Sequence, residues 1–219
     1  MMPDKFNEEC AVVGVINHPE AAKYCYLGLY AMQHRGQEGA GIVSVSKKGM
    51  QAHRGMGLVS EVFSTESLAY LKGHAAVGHS RYATHGAKNA ENLQQFVAKF
   101  SDSSFAVAHN GNLINSDELK SDLEKGGAIF SSSSDTEVIL HLVARDKSDT
   151  SLVEKYKEAL KKVKGAYSLV SLSSKDKLIA VRDPAGVRPL SLAKIGDGYM
   201  VASETCAFDL VGAEFVRDI

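Results

Sequence analysis

Glu9-Cys10-Ala11-Val12-Val13-Gly14-Val15-Ile16 is the stretch from which the rest of the chain can be read. A carboxylate and a thiol give way to six residues with no polar side chain, and Asn17-His18-Pro19 ends the run. Such a segment is too apolar to keep one face in water, so it reads as a strand covered on both sides, and a strand of this kind implies layers above and below its sheet. Further strands are expected at Gly41–Ser46, Met50–Arg54, Ala75–His79, Phe105–His109, Ala166–Leu172, Lys177–Arg182, Leu190–Lys194 and Tyr199–Ser203.

Between the strands lie stretches with helical spacing. Ala22, Cys25, Tyr26 and Leu29 form a stripe that runs toward Gly36, and a second helix is expected from Asn115 or Ser116 to the Gly126-Gly127 pair. Ser134-Asp135-Thr136-Glu137 reads as a capping box ahead of Val138, Ile139, Leu142 and Val143, and Leu152, Val153, Tyr156, Leu160 and Val163 mark a fourth helix. Each helix has one apolar face. Sheets packed on one another with helices outside, in a single layered domain, satisfy both patterns. No internal repeat or Pro/Gly/Ser-rich linker divides the chain.

Composition narrows the function. The 219 residues carry 25 Lys and Arg against 26 Asp and Glu, with no long basic block, which argues against nucleic acid or an anionic membrane as the main partner. With 19 Gly and 4 Pro, collagen-like and low-complexity classes are excluded. Apolar runs fall far short of the roughly 18–20 residues of a membrane span. The leader Met1–Glu9 lacks a signal-peptide core, so a cytoplasmic protein is expected. Cys10, Cys25 and Cys206 include no CxxC pair, which fits neither a disulfide framework nor a zinc site.

Cys10, at the mouth of the first strand, is either a small buried residue or a rigidly held nucleophile, and position alone does not decide. Three polar segments beside strand ends supply possible company: His79-Ser80-Arg81-Tyr82-Ala83-Thr84-His85-Gly86, His109-Asn110-Gly111-Asn112, and Ser132-Ser133-Ser134-Asp135-Thr136-Glu137. Arg81 can grip a carboxylate with paired hydrogen bonds and Asp135 can hold an ammonium, which together recognise the head of a free amino acid. Asn110-Gly111 reads as a hairpin turn, and equally as two donors for a developing oxyanion. His79, His85 and His109 show no metal-ligand spacing and read mostly as hydrogen-bonded structural groups, with no obvious general base among them.

These segments, with Cys10-Ala-Val-Val-Gly-Val and Met32-Gln33-His34-Arg35-Gly36-Gln37-Glu38-Gly39-Ala40-Gly41, resemble the class II glutamine amidotransferase domain in five ordered motifs over most of the chain. The resemblance implies the N-terminal-nucleophile hydrolase fold, an α+β four-layer αββα sandwich of two antiparallel sheets between helical layers. It implies that Met1–Glu9 is a propeptide, that residues 10–219 are the glutaminase domain, and that Cys10 becomes the first residue, its free α-amine serving as base. Cys10, Asn110 and Gly111 are then catalytic. Arg81, Asp135, Thr84, His85, Gly36 and Arg35 bind glutamine or support its pocket.

Within the family, Arg182-Asp-Pro-Ala-Gly-Val-Arg-Pro-Leu190, Val201-Ala-Ser-Glu204, Phe215-Val-Arg-Asp-Ile219 and the leader resemble the amidophosphoribosyltransferase branch, which opens purine synthesis. The glucosamine-6-phosphate synthase branch usually has Trp where Tyr82 stands and its cysteine directly after the initiator Met. One departure is Gln94-Gln95-Phe96, where the purine enzymes generally read Gln-Pro-Phe. The branch further implies glutamine as substrate, ammonia passed to a phosphoribosyltransferase domain outside this chain, and Mg²⁺ with that domain. It also implies homo-oligomeric assembly and, in many members with a leader, an iron–sulfur cluster, for which Cys25 and Cys206 are too few. No cofactor is expected in residues 10–219. Other readings are the amide-transfer domain of a different class II enzyme and a non-catalytic glutamine-binding module.

Overall fold

The computed structural model describes residues 10–82, 96–99, 104–148, 150–175 and 177–219. Two antiparallel sheets lie face to face. The larger is built from β1 (Ala11–Ile16), β2 (Gly39–Ser46), β3 (Gly49–Met56), β4 (Ala75–Arg81), β9 (Ser191–Ile195), β10 (Gly198–Ala202) and β11 (Glu214–Asp218), in the order β11-β9-β10-β1-β4-β2-β3. The smaller holds β5 (Phe96–Lys99), β6 (Ser104–Leu113), β7 (Gly165–Ser173) and β8 (Lys177–Arg182), in that order.

The alternation along β1 shows why its sequence is apolar throughout. Val13 and Val15 face a core shared with Ala22, Cys25 and Leu29 of helix α1 (Ala21–Ala31), with Met32 just after it, and with Phe208 of helix α7 (Cys206–Val211). Val12 faces the other way, into a core between the sheets with Val43, Val77, Ala106, Ala108, Val170 and Leu172. A third core lies outside the smaller sheet, where Phe105, Val107 and Leu169 meet Val138, Ile139, Leu142 and Val143 of α5 (Thr136–Arg145) and Tyr156 of α6 (Leu152–Leu160). Three apolar seams between four layers make the αββα sandwich of the N-terminal-nucleophile hydrolases. Helices α2 (Val59–Val62), α3 (Thr65–Tyr70) and α4 (Ser116–Lys125) complete the described elements.

The strand and helix expectations stand with three changes. The first helix ends at Ala31, and a separate 3₁₀ turn, Gln33–Arg35, leads to Gly36. Asn110-Gly111 is no hairpin turn: both residues lie within β6 and pair with Ser168 and Tyr167 of β7. The capping box before α5 does not form, because Asp135 makes no side-chain cap bond to that helix. Glu137 instead turns its carboxylate to Ser131 and Ser132, accepting from both backbone N–H groups and both hydroxyls at 2.7–2.9 Å. Those four donors outweigh the upward push of burial, so the Glu137 pKa lies below the ordinary value.

Candidate active site

Cys10 immediately precedes β1, and the antiparallel register Ala11↔Ser80 places it beside the Arg81 end of β4. Its φ is 71°, a conformation that an L side chain adopts at a cost of about 1–2 kcal/mol and that the surroundings must enforce. The enforcing residue is Arg35. Its carbonyl accepts the Cys10 N–H at 3.0 Å, and its Nε donates to the Cys10 carbonyl at 2.9 Å. The Cys10 thiol points toward the Tyr82 carbonyl, 3.9 Å away, and is partly accessible.

Gly36 explains how Arg35 comes so close. A Cβ there would lie 2.8–2.9 Å from the backbone of Ser80 and Arg81, so only glycine lets the turn after α1 rest directly on the end of β4. The Glu38 N–H then donates to the Arg81 carbonyl at 3.1 Å and leads the chain into β2. Arg81, the last residue of β4, is partly exposed at this edge.

The second sheet meets the first through two histidines. His79 of β4, 1% exposed, lies against the His109 carbonyl of β6, with its Nε2 at 3.1 Å. Burial, with the nearby charge of His109, drives the His79 pKa down to about 3, so the ring is neutral and its Nε2–H is the donor. His109 in turn places Nδ1 3.1 Å from the Thr136 hydroxyl and 3.3 Å from the Asp135 carboxylate. Asp135 Oδ2 accepts the Leu113 N–H at 2.8 Å, tying the start of α5 to the end of β6. Burial pushes the Asp135 carboxyl up, but His109, Leu113 and Thr136 together hold its pKa below the ordinary value. It is an anion at neutral pH, partly open to solvent.

Between these groups run Asn110, fully buried, and Gly111, with φ of 145°. A Cβ on Gly111 would lie 2.1 Å from the Ala166 carbonyl oxygen and 2.8 Å from the Tyr167 Cα, so β7 can approach only a glycine.

Cys10, Arg35, Gly36 and Arg81 thus meet at one end of the larger sheet, and the contact of His79 with His109 joins the same strand, β4, to the segment of β6 that carries Asn110 and Gly111 and, through His109, to Asp135. Thr84, His85 and the leader Met1–Glu9 lie outside the described residues, as do Gln94 and Gln95. Sequence reasoning missed Glu204. This carboxylate, just past β10, accepts Arg35 Nη1 at 2.6 Å on one oxygen and meets His34 Nε2 at 2.9 Å on the other. Nothing in its spacing from Cys10 announces it. The other thiols are placed differently: Cys25 is sealed in the α1 core, where burial pushes it up, and Cys206 lies 3.5 Å from Glu204. An iron–sulfur cluster takes four cysteines, so these residues do not fit one. Among the described residues no group of three His, Cys, Asp or Glu side chains is placed to hold a metal ion. No helix there is long and apolar enough to cross a membrane.

Known proteins resemble this chain in sequence and fold. A family model described as a glutamine amidotransferase domain matches residues 79–209. The amidophosphoribosyltransferase of Staphylococcus aureus strain Mu50 is 53% identical over 215 residues, 97% of this chain and 43% of its own length. Amidophosphoribosyltransferase 3, chloroplastic, of Arabidopsis thaliana is 50% identical over 217 residues, 99% of this chain and 40% of its own. The structure of glutamine phosphoribosylpyrophosphate amidotransferase from B. subtilis, complexed with ADP and GMP, superposes with a TM-score of 0.90 at 46% identity, covering 96% of this chain and 45% of that one. The chain spans less than half the length of these relatives. With its sandwich, its site and this likeness taken together, the chain belongs to the glutamine amidotransferase domain family.

Proposed function

We propose that residues 10–219 form the glutaminase domain of an amidophosphoribosyltransferase, with Met1–Glu9 a propeptide. The domain hydrolyses glutamine to glutamate and ammonia. The ammonia serves the formation of phosphoribosylamine from phosphoribosyl pyrophosphate, at the first step of purine synthesis, in a phosphoribosyltransferase domain beyond this chain. The observation that supports the reading is that Cys10 and Arg81 lie at one end of the larger sheet, while the His79–His109 contact ties β4 to the strand of Asn110 and Gly111 and to Asp135. A nucleophile, a carboxylate grip, oxyanion donors and an ammonium partner are what hydrolysis of a free amino acid's side-chain amide requires.

Removal of the leader turns the Cys10 backbone nitrogen into an amine with a pKa near 8, close enough to neutrality to take the thiol proton. The Arg35 carbonyl, already hydrogen-bonded to that nitrogen, orients it. The Cys10 sulfur attacks the glutamine side-chain carbonyl, and the Asn110 amide and Gly111 N–H stabilise the tetrahedral oxyanion. The C–N bond breaks as the α-ammonium gives its proton to the departing ammonia, leaving a thioester. Water adds to that thioester, glutamate leaves, and the thiol is restored. Arg81 binds the α-carboxylate and Asp135 the α-ammonium, with Thr84, His85 and Gly36 lining the pocket.

Mg²⁺ belongs with the phosphoribosyltransferase domain in this reading, the protein works in the cytoplasm, and it assembles as a homo-oligomer. The deciding experiment is glutamate release from glutamine by leader-free protein beside its Cys10→Ala variant. Activity in the former and none in the latter is expected. Equal activity in both, or full activity with the leader retained, excludes this chemistry.

A further inference from the structure

Arg35 is 1% exposed, and a guanidinium keeps its proton at any working pH, so its charge needs a partner within the fold. Glu204 supplies it through the 2.6 Å contact on Oε1, while Oε2 meets His34 Nε2 at 2.9 Å and the Cys206 thiol at 3.5 Å. Burial pushes the Glu204 pKa up, but Arg35 and His34 more than reverse that push, and the group stays ionised at neutral pH. Arg35 then grasps Cys10 at both its nitrogen and its carbonyl. Ser203, next to Glu204, exchanges two hydrogen bonds with Val12, its Oγ accepting the Val12 N–H and its own N–H donating to the Val12 carbonyl, each at 3.0 Å. The turn after β10 thus grips the chain on both sides of Ala11.

We infer that Glu204 is a positioning residue: acting through Arg35, it holds the Cys10 nitrogen and carbonyl in place and so aims the thiol and the neighbouring nitrogen at the amide. The inference rests on Cys10 being the nucleophile. Its physical basis is leverage. A modest rotation about the Cys10 backbone displaces the sulfur by about 1 Å, and a misplacement of that size can cost roughly a hundredfold in rate. Glu204 contacts Arg35, His34 and Cys206, and its hydrogen bonds reach neither Arg81 nor Asp135, so the loss belongs in turnover and not in binding. The carboxylate is also about a third exposed, at 32%, so an amide in its place remains solvated.

The test compares leader-free wild type with Glu204→Gln, which keeps an acceptor for Arg35 but drops the charge, and Glu204→Asp, which keeps the charge with a shorter reach. Active sites are counted by labelling with a glutamine-analogue electrophile, and hydrogen exchange is followed in the peptide spanning residues 10–16. Glu204→Gln is expected to lower kcat per labelled site about ten- to a hundredfold with KM nearly unchanged. Exchange at Ala11–Val13 should rise, and Glu204→Asp should recover part of the rate. Wild-type kcat per site in Glu204→Gln, a rise in KM alone, or unaltered exchange in that peptide overturns the inference. If wild type itself releases no glutamate, the glutaminase reading fails, while the exchange comparison still decides whether Glu204 fixes Cys10.

Discussion

Above the range where carboxylates titrate, mild acid should weaken this fold through a buried side chain, His79. The ring lies between β4 and β6, donates to the His109 carbonyl at 3.1 Å, and has its pKa driven to about 3 by burial first and by the charge of His109 second, against an ordinary value of 6.5. Between pH 6.5 and pH 3 the unfolded chain therefore takes up a proton that the folded chain refuses. The stability this residue contributes is complete above pH 6.5 and drains away as pH falls toward 3. Each pH unit in that window is worth about 1.4 kcal/mol, so lowering the pH from 6.5 to 4.5 should remove about 3 kcal/mol on account of His79 alone. The perturbation is His79→Gln, whose amide can donate to the same carbonyl but does not titrate. Urea unfolding of both proteins at pH 7.5, 6.5, 5.5 and 4.5 gives the difference in stability, from which the other titrating groups largely cancel. Wild type should be the more stable at pH 7.5, by about 1–2 kcal/mol for its better packing and hydrogen bond, and should lose that advantage by about pH 5. A difference that stays constant across the four pH values would show that His79 is not held neutral and would refute the argument.

Other perturbations probe the site directly. Asn110→Ala should keep the fold and lose roughly 10²–10³ in glutamine turnover, measured as glutamate released, because one oxyanion donor is worth about 2.7–4 kcal/mol of barrier. Gly111→Ala places a methyl group 2.1 Å from the Ala166 oxygen, so thermal unfolding should show a loss of at least about 1–3 kcal/mol as β6 and β7 part. Asp135→Asn retains an acceptor for the Leu113 N–H but removes the charge facing an ammonium, so KM for glutamine should rise about ten- to a hundredfold while kcat changes less. A kcat loss without a KM change would place Asp135 elsewhere in the reaction.

The layering was legible because apolar periodicity reports burial, and β1 is buried on both faces. What periodicity could not separate was a turn from a strand that continues. Asn110-Gly111 carries a strong hairpin signal, yet the neighbouring residues continue to pair with β7 as far as Leu113↔Gly165, and glycine is required by the approach of a second backbone. The capping box failed for a related reason. Local sequence offers Glu137 one use at its own helix end, whereas the fold offers four donors from Ser131 and Ser132, and tertiary contacts prevailed. Cys10, Arg81, Asn110 and Asp135 could be nominated from sequence because each is a chemically suitable group beside an expected strand or helix end. Glu204 and the bridging role of His109 were not, because both depend on pairings between distant strands for which the linear sequence has no ruler.

The same physics explains why the site lies at the end of the sandwich. Along the middle of β1, β4 and β6, side chains alternate between apolar cores, and a charge there would have to be desolvated without compensation. At the strand ends, polar groups can be half-buried and still find partners. Cys10 precedes β1, Arg81 ends β4, Asn110 and Gly111 approach the end of β6, and Asp135 precedes α5. Keeping groups from two sheets in register then needs ties that cross the seam, and His79 with the His109 carbonyl is such a tie. The Asp135–Leu113 bond carries the constraint on to the start of α5. Arg35 and Glu204 do the equivalent within the larger sheet, at Cys10, whose φ is positive. Should Cys10 become a chain terminus, as proposed, these polar pairs are what would keep it from the mobility ordinarily found there.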